Sequence, residues 1–242
     1  MEFFGAEEIN QHLKNGWQVK EILPNTAFLS EHPEEHTTTS ESFSLRGYDM
    51  VARLEHKEIS QLFMTAHGLC ENLLKFDQHA SPSIGFKEKQ KLKKALSLYD
   101  KVLSLDPESV EALLFKAKCY NCLDNNHEGY RALQTAIGIS PPHIILYCEI
   151  GATLLQLEYY QKARHAMEEA ITHFPEEPRI LGNLGLAYLF DNKPEQALDV
   201  YQELLKVEPE YPLNARLLSY TERILKGDST YPKSKIDLQN QI

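Results

Sequence analysis

The sequence is poor in the features that mark membrane, secreted and nucleic-acid-binding proteins. Its 242 residues include four cysteines, and no apolar run approaches the ~18 residues that a membrane-spanning helix needs. The first residues include Glu2, Glu7 and Glu8 and lack the basic region of a signal peptide. The formal net charge is −10, whereas nucleic acids and anionic membranes attract an excess of Lys and Arg. We therefore expect a cytoplasmic protein with reduced cysteines, no membrane span and no nucleic-acid partner.

Motifs for catalysis and metal binding are also scarce. His32, Glu35 and His36 spell the H-x-x-E-H string of one class of zinc proteases, which acts only on a helix. A proline inside this string and the Thr-rich run after it favour a loop. Cys119 and Cys122 form a C-x-x-C late in a predicted helix, with no second pair to complete a zinc site. No glycine-rich phosphate loop is present. We expect no enzyme activity, no metal and no cofactor.

What the sequence does contain is a repeat with a fixed period of 34 residues. Four prolines keep that spacing, at Pro107, Pro141, Pro175 and Pro209. Because proline has no N–H to donate and clashes with the preceding turn, each proline closes a helix. Three positions before each proline also repeat, and their residues are candidates for the core. Twelve positions before it are Ala95, Gly129, Ala163 and Ala197; eight before it are Tyr99, Leu133, Met167 and Tyr201; and five before it are Val102, Ala136, Ala170 and Leu204. A period of this length indicates stacked helix–turn–helix units.

The pattern resembles the tetratricopeptide repeat. The best copy runs from Leu181 to Tyr211, and the copy at 144–177 is nearly as good, with Gly151 and Gly185 as the small residues of their first helices. The copy at 110–143 is weaker, because it carries Lys116 where an apolar residue is usual. The resemblance implies an all-α solenoid, wound as a right-handed superhelix, in which each unit packs mainly on its neighbours.

The repeat register divides the chain into five predicted regions. An N-terminal extension with a short helix at 6–15 and a polar loop at 31–46 precedes a divergent first repeat, whose loop insertion lies at 77–86. Three regular repeats, a capping helix and a flexible tail follow. The predicted regions are 1–55, 56–109, 110–211, 212–227 and 228–242.

The resemblance also implies a binding groove lined by the first helix of each repeat. The residues it places there are Leu114, Phe115, Lys118 and Cys122 from one unit; Cys148, Glu149, Ala152, Leu155 and Gln156 from the next; and Arg179, Asn183, Leu186 and Phe190 from the last. These residues do not form the carboxylate clamp of the Hsp70- and Hsp90-tail-binding members. We expect apolar anchors at Phe115, Leu155, Leu186 and Phe190, or else burial of the same residues by the chain itself.

The predicted groove leads to one main hypothesis about function and two alternatives. The main prediction is a non-enzymatic scaffold or adaptor that binds an apolar or basic protein segment, with self-association possible. The first alternative is a bacterial type III secretion chaperone of the tetratricopeptide class, which similarly has an N-terminal extension before about three repeats. The second alternative is a zinc hydrolase acting through His32, Glu35 and His36.

Overall fold

The computed structural model describes most of the chain from residue 50 onward and short stretches before it. The described residues are 3–4, 14, 17–24, 40–45, 50–74, 84–140 and 142–242. The chain divides into a first unit, residues 1–124, and a second unit, residues 125–242, and each is described by itself.

The first unit begins with a four-stranded sheet, which the sequence analysis did not predict. Its strands are β1 (Phe3–Phe4), β2 (Trp17–Pro24), β3 (Ser40–Leu45) and β4 (Met50–His56), in the order β1-β3-β4-β2. The strand β4 pairs antiparallel with both β2 and β3, and β1 pairs parallel with β3. The register of β2 against β4 shifts between Val19 and Glu21, where the pairing is irregular.

The position of β3 corrects the predicted polar loop at 31–46. Residues 40–45 of that range form a strand paired with β4. Polar composition indicated a loop, but a strand in a sheet needs only alternation of polar and apolar residues, and Ser42-Phe43-Ser44-Leu45 alternates. The predicted helix at 6–15 lies outside the described residues except for residue 14, which is helical. His32, Glu35 and His36 also lie outside them.

Three helices follow the sheet in the described residues of the first unit: α1 (Lys57–Cys70), α2 (Phe86–Leu105) and α3 (Val110–Cys122). The predicted insertion at 77–86 falls largely in 75–83, outside the described residues. Helix α3 begins at a cap, because the Ser109 hydroxyl accepts a hydrogen bond from the Ala112 N–H at 3.4 Å. The apolar faces of these helices share one core that includes Ile59, Leu92 and Tyr99.

The second unit consists of seven helices over its described residues. They are α4 (Asn126–Ile139), α5 (Ile144–Gln156), α6 (Tyr160–His173), α7 (Pro178–Phe190), α8 (Pro194–Val207), α9 (Pro212–Lys226) and α10 (Lys235–Gln241). Helices α7, α8 and α9 each start with proline, whose fixed φ suits the first turn and whose missing N–H would be unbonded there in any case. None of the helices in the described residues is long and apolar enough to cross a membrane.

Burial confirms the predicted repeat fold. The residues twelve, eight and five positions before each repeat proline are all buried, from Ala95 in α2 to Leu204 in α8. Pro141 itself lies outside the described residues. Within each unit, the described helices from residue 57 on are therefore the all-α repeats that the period of 34 predicts.

The same period appears in the backbone of the tight turns. Asp124, Glu158 and Asn192 follow the first helix of successive repeats at intervals of 34 residues, and their φ angles are 62°, 58° and 56°. L-amino acids other than glycine and asparagine adopt this left-handed conformation at a cost. The turn geometry therefore overrides local preference at Glu158, because α6 must fold back onto α5.

The C-terminal segment corrects the predicted flexible tail at 228–242. Helix α10 lies within it and buries Leu238, which is 5% exposed. The Tyr220 hydroxyl donates to the Thr230 carbonyl at 2.7 Å, and Arg223 donates to the Gln241 carbonyl at 2.7 Å. The tail is therefore packed against the predicted capping helix α9, which ends at Gly227 with a left-handed φ of 81°.

Helices α7 and α8 approach closely at Gly185. A Cβ atom built on Gly185 would lie 2.4 Å from the Tyr201 ring, so only glycine fits beside that ring. Gly151 is similar, but its neighbour is the flexible Met167 side chain, at 2.6 Å from the built Cβ. The sequence analysis predicted small residues at both positions and could not tell which one faces a rigid ring.

The Tyr201 hydroxyl is buried without a hydrogen-bond partner among the described residues. Burial also raises the pKa of Tyr201, so its hydroxyl stays protonated. Because an unpaired buried hydroxyl costs free energy, we expect Tyr201→Phe to raise the free energy of unfolding by about 1 kcal/mol in urea titrations. Tyr220→Phe is the matched control and should lower it by about 1 kcal/mol, since it removes a bond to Thr230. Destabilisation by Tyr201→Phe would show that the hydroxyl has a partner.

Candidate protein-binding surface

A side-chain hydrogen bond joins helices α5 and α7. The Asn183 side-chain amide donates to the Cys148 carbonyl at 3.2 Å. Cys148 is on α5 and Asn183 on α7, 35 residues later. Asn183 was predicted from the sequence to line the binding groove. The structure shows that its amide group holds two successive repeats together.

Six residues form what we call the α5/α7 face. Glu149, Ala152 and Gln156 on α5 are spaced three and four residues apart, and so share one side of the helix. Arg179, Gly182 and Leu186 have the same spacing on α7. Ala152, Gln156 and Arg179 are exposed, and the other three are half-buried. This surface is therefore accessible, and its middle is built from small and aliphatic residues.

Two of the four predicted apolar anchors are core residues, which matches the alternative that the chain itself buries them. Leu155 is 2% exposed and Phe190 is 7% exposed. The Phe190 ring stacks on Tyr160, with ring centroids 4.8 Å apart. Cys148 and Asn183 are also buried. Of the four expected anchors, Leu186 alone is partly open within the described second unit.

Two of the predicted groove residues of the first unit are buried, and two are half-buried against its core. Leu114 and Lys118 are buried, at 6% and 4% exposed. Phe115 and Cys122 are half-buried. The Phe115 ring lies 4.9 Å from His67 and 6.1 Å from Tyr99 between centroids. The Cys122 thiol approaches the Leu73 carbonyl at 3.9 Å. Phe115 therefore packs on neighbouring rings and leaves only part of its side chain open.

Charges of both signs surround Cys148 at one end of the α5/α7 face. Burial is the main reason that the pKa of Cys148 is raised to about 12, with Arg179 opposing and Glu177 and Glu149 adding to the rise. The thiol is therefore neutral and unreactive at physiological pH. Arg179 also donates to the Glu177 carboxylate at 2.8 Å. The chemistry available here is hydrogen bonding and charge pairing with a partner.

Comparison with known proteins identifies the repeats. A family model described as a tetratricopeptide repeat matches residues 148–215, and one described as anaphase-promoting complex, cyclosome, subunit 3 matches residues 88–170. The chain contains tetratricopeptide repeats. It is 30% identical over 108 residues to the small glutamine-rich tetratricopeptide repeat-containing protein 2 of Saccharomyces cerevisiae. That match covers 42% of this chain and only 31% of the relative.

Solved structures show the same fold. MamA from Desulfovibrio magneticus RS-1 superimposes with a TM-score of 0.59 at 16% identity, covering 76% of this chain and 93% of MamA. YrrB, described as a tetratricopeptide repeat protein with an unusual peptide-binding site, superimposes with a TM-score of 0.52 at 19% identity. That match covers 63% of this chain and 77% of YrrB. Tetratricopeptide repeats are known as non-enzymatic protein-interaction modules, and residues 148–215 of this chain match such repeats.

The cysteines of this chain are free thiols. In the first unit, the Cys70 sulfur lies 3.6 Å from the Tyr99 hydroxyl oxygen. A hydrogen bond with Cys119 is the main reason that the pKa of Cys70 is lowered to about 7, and the same bond raises the pKa of Cys119. Both residues are 0% exposed. The part of the chain that the structure describes contains no group of three metal-binding side chains.

An ion-pair network joins two successive tetratricopeptide repeats in the second unit. Arg164 on α6 donates to Asp191 at 3.0 Å and to both carboxylate oxygens of Glu168 at 2.8 and 3.0 Å. The Tyr188 hydroxyl on α7 also donates to Glu168, at 2.9 Å. Burial alone would raise the pKa of Glu168, but the hydrogen bonds from Arg164 and Tyr188 outweigh it and lower that pKa. Sequence periodicity could not reveal this network, because its members occupy no common repeat position.

The lowered pKa of Glu168 makes a prediction about acid stability. A carboxylate whose pKa is lower in the folded state contributes stability above its ordinary pKa of 4.5, and this contribution is lost as the pH falls through the folded value. We therefore expect Glu168→Gln to be less stable than the parent at neutral pH, with the difference shrinking in acid. Urea titrations over this pH range measure it, with the exposed Glu210→Gln as control. A constant difference at all pH values would contradict the prediction.

Proposed function

We propose that the α5/α7 face binds a segment of a partner protein, and that the chain acts as a scaffold or adaptor. The observation that carries the proposal is the combination of exposed Ala152 with half-buried Gly182 and Leu186 at the centre of this face. Small residues allow a partner backbone to approach closely, and Leu186 offers a single apolar contact. Gln156 is an exposed amide that can donate to and accept from a peptide backbone.

The charged end of the α5/α7 face indicates the chemistry of the partner. Glu149 and Arg179 both lie near Cys148, since both charges act on its thiol. A partner segment that crosses this end meets a carboxylate and a guanidinium. We infer that it carries small or aliphatic residues and at least one charged group. Affinity would come from a few contacts, because Phe190, the predicted aromatic anchor of this unit, is buried in the core.

A single substitution tests the proposal. Ala152→Arg places a long charged side chain on the face without entering the core, because Ala152 is exposed. Ala215→Arg makes the same change at an exposed position of α9. Proteins recovered from native lysate with each variant would be compared by mass spectrometry. We expect Ala152→Arg to lose partners that Ala215→Arg keeps, with equal melting temperatures.

The same experiment separates the adaptor from the secretion-chaperone alternative. Recovery of a stable assembly of several proteins supports the adaptor. A single exported client at equal stoichiometry would support the chaperone. Identical partner sets for Ala152→Arg, Ala215→Arg and the parent would reject the α5/α7 face as the binding surface.

The proposal includes a cytoplasmic location. It is supported by the four free cysteines, three of which are buried in the cores of the two units. Thiols are kept reduced in the cytosol, whereas exported proteins tend to form disulfides.

A further inference from the structure

The second unit has an open notch lined mainly by residues of α6 and α8. It lies where α6 ends, where the turn at 174–177 follows, and along the last turns of α8. Its floor is aliphatic, and Val207 at its edge is 41% exposed. The apolar residues of the notch are Ile171, Pro175, Leu181, Val200 and Val207.

The rim of the notch is acidic. It carries Glu176, Asp199 and Glu203, against a single cation, Lys206. Lys206 is held by Glu203, with the ammonium 2.6 Å from the carboxylate. Within the described residues, Glu176 and Asp199 form no ion pair. The carboxyl ends of α6 and α8 add partial negative charge at the same place. The notch therefore favours a ligand that is apolar at its centre and positive at its edges.

The chain carries a segment with this composition at the start of α2. Phe86 is 77% exposed, the largest exposed fraction among the large hydrophobic residues of the described part of the chain. Five lysines follow it within eight residues, with one glutamate among them. The lysines are exposed, and they form no ion pair with any described residue. These lysines are Lys87, Lys89, Lys91, Lys93 and Lys94.

The position of these lysines is unfavourable in an isolated chain. The first turn of a helix carries partial positive charge, so Lys87 and Lys89 are repelled by it. Lys87, Lys91 and Lys94 also share one side of the helix and repel one another. An anionic surface placed against the segment would relieve both effects. Phe86 is on the same side of the helix as Lys89 and Lys93, so an apolar contact and a charge contact can form together.

We propose that the notch of one copy binds residues 86–94 of a second copy. Phe86 would lie on the aliphatic floor, and the lysines would pair with Glu176 and Asp199. The contact uses two different surfaces, so it is heterologous, and further copies can add at each end. A second copy is favoured over an unrelated basic partner because the complementary segment is part of this chain. A net charge of −10 disfavours anionic membranes as the target of the lysines.

Sedimentation equilibrium of the full chain tests the proposal. The weight-average mass should rise with protein concentration and fall with added salt, because charge pairs at an exposed rim are screened. Phe86→Ala should weaken association without changing the melting temperature. Glu176→Lys combined with Asp199→Lys should weaken it ~10-fold or more, since like charges then face each other. Glu108→Lys combined with Glu210→Lys reverses two exposed charges elsewhere and should leave association unchanged.

A charge swap makes the test specific. Lys89→Glu combined with Lys93→Glu should also abolish self-association. A chain that carries all four changes, these two with Glu176→Lys and Asp199→Lys, has an acidic segment and a basic notch, so the two surfaces are again opposite in charge and association should return. A parent chain that is monomeric at all concentrations would overturn the proposal. So would equal weakening by the Glu108 and Glu210 control, or a monomeric chain with all four changes.

Discussion

Replacing Gly185 with leucine should lower the free energy of unfolding by about 3 kcal/mol, as overpacking a closed interface does. The reason is local: even a Cβ at this position would lie 2.4 Å from the Tyr201 ring, and Tyr201 is 0% exposed and cannot move into solvent. The helices α7 and α8 would have to separate to accommodate the new side chain. Urea unfolding followed by circular dichroism measures the change.

Gly182→Ala is the control for this prediction. Gly182 lies on the same helix, and a Cβ there would meet only Leu204, at 3.9 Å. Because alanine has the higher helix propensity, this substitution should stabilise the protein by up to about 1 kcal/mol. Gly151→Ala should fall between the two, since the Met167 side chain can adjust. An unchanged transition for Gly185→Leu would mean that the α7–α8 interface differs from that described.

Replacing Phe190 with alanine should cost about 3 kcal/mol or more of folding stability, as is usual for a buried aromatic residue. Phe190 is 7% exposed and stacks on Tyr160 at 4.8 Å, so its removal leaves a cavity. Leu186→Ala, one turn earlier on α7, should cost much less because Leu186 is half-buried. Thermal melts of the two single variants measure the difference.

The two variants also separate packing from binding. We expect Leu186→Ala to weaken a partner bound on the α5/α7 face while leaving the melting temperature nearly unchanged. Phe190→Ala should instead lower the melting temperature, because its ring is buried. A small effect of Phe190→Ala on stability would show that the residue is an open anchor, as the repeat pattern had suggested. Equal large losses from both variants would place Leu186 in the core as well.

Much of the fold could be predicted from the sequence because its repeats impose the same packing at each turn. The residues twelve, eight and five positions before each repeat proline are buried as expected. The sheet could not be predicted in the same way. Its strands occur once and have no period beyond the alternation of a few residues, and pairing such as that of β3 with β4 joins segments by backbone hydrogen bonds. Helix α10 could not be predicted from the repeat either, because its seven residues occur once.

The candidate site was predicted less well than the fold. A repeat position identifies which side of a helix a residue lies on, and this was sufficient to find Ala152, Gln156 and Leu186. It does not specify how deeply a side chain is covered by the next helix. Leu155 and Phe190 occupy groove positions of the repeat yet are buried, because neighbouring helices pack over them. Asn183 similarly bonds to Cys148 in the preceding repeat.

The sequence by itself determined the helical repeat, its register and its core, because a period of 34 residues places the same side chains between the same helices in every unit. Only the tertiary structure decided which surface residues are open, because exposure depends on what neighbouring elements cover. It placed the Tyr201 ring against Gly185 and assembled the network around Arg164. It also brought Glu176 and Asp199 to the rim of one notch. Each of these depends on residues distant in sequence, which no local pattern relates to one another.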